Sequence, residues 1–198
     1  ARRLLAAANE RALAVGHPFV LAWCALADGL AAYVLGEFRR SYESCVRALA
    51  LFEGCTGVAW ERETADHYVV LSAFYLGRLK EMSARVELYR RKADERGDLF
   101  ASTYARSGFA LTAYLASEDP DAARRDAADT MQRWSNRGYF LSHYWCFLGS
   151  THVDLYTGEV ESAYARVRDE WPRLVESMLP RSVQLIRVES LHLRARAA

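Results

Sequence analysis

The sequence predicts an all-α chain organised as an array of antiparallel helix hairpins, and three observations carry that prediction. Short turns that follow an aromatic residue recur near Gly36, Gly77, Ser117 and Gly158, in steps of 41, 40 and 41 residues. Such regularity marks like units rather than one irregular globule. A second set of stops, Gly54, Gly97, Gly138 and Pro180, falls between them in steps of 43, 41 and 42, so each unit is a pair of helices of similar length. Start signals stand where helices should begin: Pro18 suits a first helical turn, and Asp119-Pro120 reads as an N-cap followed by its N1 proline.

The elements follow in order. Leu4, Leu5, Ala8, Ala12 and Val15 give residues 1–15 helical character up to the stop at Gly16-His17, and this helix reads as the second half of a unit whose first half is missing. A helix over 18–34 pairs with one over 37–53. The next hairpin joins 58–76 to 78–96, stopped by Asp94-Glu95-Arg96-Gly97. A single helix over 99–116 precedes the one that Asp119-Pro120 starts, expected to reach Asn136. The fourth hairpin joins 139–156 to 159–178, where Pro172 should kink the second helix or end it early. Pro180 separates a last helix over 181–197. The chain is thus expected to be one helical-repeat domain cut from a longer array. It has half-units at 1–16 and 181–198 and hairpins at 18–54, 57–97, 98–137 and 139–178.

Composition narrows the function. Hydrophobic residues at 52% and charged residues at 26% suit a folded chain in water, and no apolar run approaches the ~18 residues that span a bilayer. Twenty-six basic and 25 acidic residues leave a net charge of +1, too little for a field that attracts nucleic acid. The densest basic cluster, Arg90-Arg91-Lys92, is followed by Asp94, Glu95 and Asp98 and reads as a solvated helix end. Cys24, Cys45, Cys55 and Cys146 form no CxxC pair and read as reduced thiols of a cytoplasmic protein.

Within the hairpins, Gly36-Glu37-Phe38 is followed by the small residues Ser41 and Ala48, five and twelve positions after the glycine. Gly158-Glu159-Val160 leads similarly to Ala163, and Asp119-Pro120-Asp121 to Ala122-Ala123, whereas Met82 and Tyr89 depart from the pattern. This resembles the tetratricopeptide repeat, whose small residues let two helices approach closely, with units here longer than that family's ~34 residues. The resemblance implies a right-handed superhelical array.

A further resemblance covers roughly residues 100–198. Arg133-Trp134, Arg137-Gly138-Tyr139, Glu170-Trp171-Pro172 and Val183-Gln184 through Arg196 look like the C-terminal helical region of large bacterial serine/threonine protein kinases of myxobacterial type, which carry a STAND-type ATPase module. Gly16-His17-Pro18 also resembles repeats of related ATPase-containing adenylate cyclases. These resemblances imply a non-catalytic regulatory segment that binds a protein or peptide partner, the parent's own kinase or ATPase domain included. The sensor array of a STAND-type transcription regulator is the alternative.

No catalytic motif accompanies them. Lys80 and Lys92 stand in neither a Walker loop nor a kinase motif, so no cofactor is expected. His143 and His152, nine residues apart, fall on opposite faces of one helix. Glu63 and His67 share a face at i, i+4 with Asp66 beside them, which fits an intrahelical contact better than a metal site. A helical metal-dependent enzyme using His67 or His152 is the reading from a different functional class.

In tetratricopeptide arrays the first helix of each hairpin lines a concave face. Carried to this sequence, that implies a surface formed by Trp23, Tyr33, Thr64, His67, Phe74, Tyr104, Tyr114, Trp145 and His152. The same helical spacing equally fits core positions.

Overall fold

The computed structural model describes residues 2–134 and 137–198. Their regular structure is entirely helical. The chain divides into two compact units, Ala1–Arg78 and Leu79–Ala198, so the hairpin expected over 57–97 straddles the division.

The first unit contains α1 (Arg2–Val15), α2 (Pro18–Val34), α3 (Phe38–Phe52) and α4 (Ala59–Tyr75). Helices α2, α3 and α4 pack around Ala22, Ala25, Leu26, Cys45, Ala48, Phe52, Ala65 and Val69. Small side chains bring the backbones together, and a Cβ on Gly29 would lie only 2.3 Å from the Cys45 sulfur. Ser41, Cys45 and Ala48 are all fully buried, and the Ser72 hydroxyl of α4 donates to Ser41 Oγ of α3 at 3.0 Å. Buried Asp28 of α2 accepts from Arg40 Nε at 3.2 Å and Ser44 Oγ at 2.7 Å. Burial raises its pKa, but these donors outweigh burial and leave the net shift downward, so the carboxylate stays charged.

The second unit contains α5 (Leu79–Arg96), α6 (Leu99–Ala105), a 3-10 turn (Gly108–Leu111), α7 (Thr112–Leu115), α8 (Pro120–Gln132), α9 (Leu141–Thr157), α10 (Val160–Glu176), α11 (Leu179–Ser182) and α12 (Gln184–Arg196). Asp119 caps α8 as its sequence predicts, accepting from the Ala122 amide at 2.9 Å. The expected end of this helix at Asn136 lies outside the described residues. Asp154 of α9 repeats the role of Asp28, accepting from Ser162 Oγ at 3.1 Å and Arg166 Nη2 at 2.9 Å on α10. In both pairs the arginine lies 12 residues after the aspartate.

Two expectations are corrected. The single helix over 99–116 is broken: α6 stops at Ala105, Ser107 is extended, and Gly108 takes φ +56°. Two causes coincide. Thr103 and Ser107 turn their hydroxyls onto carbonyls four residues back, each at 2.7 Å, a local bond that competes with regular helix. The Gly108 backbone also presses on α9, its oxygen and nitrogen lying 2.7 and 2.8 Å from where a Cβ on Gly149 would stand. Of the two outcomes expected of Pro172, a kink or an early end, the second does not occur, since α10 runs on past it to Glu176. The last helix is interrupted at extended Val183, leaving α11 as a single turn around Pro180.

The turns share one geometry. Gly36, Gly77, Glu118 and Gly158 take φ of +76°, +69°, +59° and +78°. The next amide in each reaches back five residues, Glu37 to Ala32, Arg78 to Ala73, Asp119 to Tyr114 and Glu159 to Asp154, at 2.8 to 3.0 Å. This is a Schellman closure, for which glycine is the least strained residue. Its third instance turns on Glu118, one residue beyond Ser117, and Glu118 is the sole non-glycine at positive φ among the described residues. Glu118→Gly should therefore raise unfolding stability by about 0.5–1 kcal/mol, the relief of strain exceeding the added freedom of the unfolded chain. Urea denaturation checks this, and a lower midpoint would refute it.

Candidate functional site

The residues expected on a concave face fall into several environments. In the first unit, Trp23 of α2 is half-buried, and its ring stacks on that of Trp60 of α4 with centroids 6.0 Å apart and planes at 29°. Phe19, one helical turn earlier, meets Trp23 edge-on at 6.5 Å. Trp60 is 62% exposed, so it presents a broad face on a ring already fixed from behind. The Thr64 hydroxyl donates to the Trp60 carbonyl at 2.8 Å and is committed to its own helix.

Tyr33 and Phe74 belong to another cluster. Tyr33 is buried against Phe38, Tyr68 and Tyr75 with centroids 5.1 to 6.1 Å away, and Phe74 meets Tyr75 at 5.3 Å. Half-buried His67 lies beside Tyr68, and burial lowers its pKa to about 3 from the ordinary 6.5. Between these values the unfolded chain binds more protons than the folded one. Stability from this group is thus full above about pH 6.5 and falls as pH drops towards 3. Wild-type chain should lose more stability between pH 7 and pH 5 than His67→Gln, as read from urea midpoints; equal losses would contradict this.

In the second unit, Tyr104 and Trp145 are buried and meet edge-on at 5.1 Å. Phe100 covers Trp145 at 5.5 Å and reaches Trp134 at 6.5 Å while remaining 52% exposed. Tyr114 lies in a polar network: its hydroxyl donates to Asp126, and the Arg90 guanidinium sits 4.8 Å from its ring centre. Burial, then the bond to Asp126, pushes the Tyr114 pKa up to about 12. Arg90 is also 3.5 Å from both Asp126 and Glu87, so this member of the basic cluster is engaged internally. His152 lies between Phe109, at 5.8 Å, and Arg196, whose Nη1 is 3.2 Å from its Nδ1. Burial and Arg196 lower its pKa to about 4, so it is neutral near pH 7.

The structure thus joins Trp23 with Trp60, and Tyr104 with Trp145. It also reveals residues that the sequence reasoning missed. Phe19, Trp60, Phe100 and Phe140 recur in steps of 41, 40 and 40 residues, and all four are exposed. The spacing carries the signal: they stand 17 or 18 residues before the left-handed turn residues, just over one helical turn ahead of Trp23, Thr64, Tyr104 and Trp145.

The four cysteines are free thiols, and burial pushes the Cys45 pKa up to about 12, against thiolate formation. Among the described residues no group of three His, Cys, Asp or Glu side chains is placed to hold a metal ion. No described helix is long and apolar enough to cross a membrane. Exposed aromatic rings backed by fixed rings are chemically suited to receiving apolar or cationic side chains. No protein-family model matches the chain, and no curated protein is significantly similar to it.

Proposed function

We propose that this chain is a non-catalytic, cytoplasmic interaction segment of a bacterial signalling protein and that it captures a protein or peptide partner on its exposed aromatic faces. The observation that carries this reading is Trp60, 62% exposed and stacked on Trp23. An aromatic ring held in place loses little conformational freedom when a partner covers it, which is how anchor residues at interfaces act. Phe100 over Trp145 provides a second such face in the other unit.

The repeated turn at Gly36, Gly77, Glu118 and Gly158 supports reading the hairpins as tetratricopeptide-like units of a right-handed superhelical array. The resemblance to kinase-associated repeats makes the parent's own kinase or ATPase domain the first partner to test. Binding of this chain to those domains should weaken by about tenfold or more in Trp60→Ala, a loss typical of an interface anchor. The melting temperature should stay nearly unchanged, because the ring is mostly in solvent. Unchanged binding by Trp60→Ala together with Phe100→Ala would reject the reading.

A further inference from the structure

We propose that a pocket formed by α10, α11 and α12 binds a small apolar anion, an aryl or branched-alkyl group carrying a carboxylate. The pocket has a volume of about 270 Å³. Trp171, Leu174 and Val175 of α10 and Leu191 of α12 supply apolar walls, while Arg181 and Arg187 stand in the same lining, which contains no carboxylate. This volume is slightly below the ~300 Å³ at which drug-sized ligand pockets begin. It suits one ring or branched chain with its acid group.

The charge is what selects the ligand. Elsewhere in the chain, Arg40, Arg106, Arg124 and Arg166 are each paired with a carboxylate. Arg181 and Arg187 make no side-chain ion pair or hydrogen bond among the described residues. A third cation is close, because the Arg194 guanidinium lies over the Trp171 ring, 4.7 Å from its centre. Unpaired guanidinium groups beside an apolar wall match a carboxylate attached to an apolar body. The carboxylate can accept paired hydrogen bonds from arginine while the body leaves water.

Two sources share that chemistry: a free small acid, and a polypeptide end whose last residue is large and apolar. The site uses none of the residues of the aromatic faces, so it does not rest on the interaction reading.

Calorimetric titration of the whole chain tests it, using 3-phenylpropionate, its neutral analogue 3-phenylpropanamide, and a hexapeptide ending in phenylalanine with a free or amidated terminus. The acid is expected to bind saturably, about tenfold or more tightly than the amide, and to weaken as salt rises. Arg181→Gln with Arg187→Gln should reduce its affinity by a similar factor. Val175→Glu, which places a negative charge on the pocket wall, should abolish binding. All three positions are exposed, so circular dichroism and melting temperature should be preserved. Tighter binding of the free-ended peptide than of phenylpropionate assigns the site to chain ends, and the reverse order assigns it to small acids. Equal binding of acid and amide, affinity unchanged in the arginine variant, or no saturable binding of either acid up to about 5 mM would overturn the proposal.

Discussion

Trp145→Ala is expected to lower unfolding stability by about 3–5 kcal/mol, the cost of emptying a large buried aromatic site. Trp145 is 8% exposed and packs on Tyr104 at 5.1 Å and Phe100 at 5.5 Å. Its side chain also lies 3.5 Å from the Cβ position of Gly108, at the break that follows α6. Removing the indole would leave a void bounded by two aromatic rings and the Gly108 segment, which cannot all close in without losing other contacts. Trp60→Ala serves as the internal contrast. Most of that ring is already in water, so its removal should cost less than about 1 kcal/mol while lowering partner capture. Urea denaturation of both variants separates the roles, and a loss below about 1 kcal/mol for Trp145→Ala would show that this ring is not core.

Gly149→Ala should be the second large effect, a loss of about 3 kcal/mol. At an exposed position in the middle of a helix this substitution would be favourable by roughly 1 kcal/mol, because alanine is the better helix former. Here the added methyl would lie 2.7 Å from the Gly108 oxygen, 2.8 Å from its nitrogen and 2.9 Å from Leu111 Cδ1. Two of those atoms are backbone, so no rotamer change relieves the overlap and the segment after α6 must move away from α9. Gly54→Ala is the matched control, since its Cβ would have nothing within 4 Å. Thermal unfolding should show Gly149→Ala melting well below wild type and Gly54→Ala close to it. Equal melting of the two would mean that the approach of Gly108 to α9 carries no stability.

The helices and their turns were largely legible in the sequence, because what makes them is local. A left-handed residue closing a helix, an aspartate accepting from an amide three residues on, and a proline in a first turn all act over a few residues. Gly36, Gly77, Asp119 and Pro18 announce them directly. The interruption after Ala105 was hidden in a different way. Thr103 and Ser107 hinted at competition for carbonyls, but the break also depends on Gly149, more than forty residues later, accepting the Gly108 backbone. The paired Asp28/Arg40 and Asp154/Arg166 contacts carried a readable 12-residue step, yet only packing shows that both aspartates are buried.

The aromatic residues divide in the same manner. Their period of about 41 residues comes from the sequence alone, because like units place like residues at like heights on successive helices. Which rings face inward does not follow from that period. Trp145 is enclosed by Tyr104 and Phe100, whereas Trp60 rests on Trp23 with its outer face open. Secondary structure is written in neighbouring residues, through hydrogen bonds that close within a turn. Burial is a property of whatever arrives from distant parts of the chain, and for these tryptophans the packing of separate helices distinguishes a core side chain from a candidate contact surface.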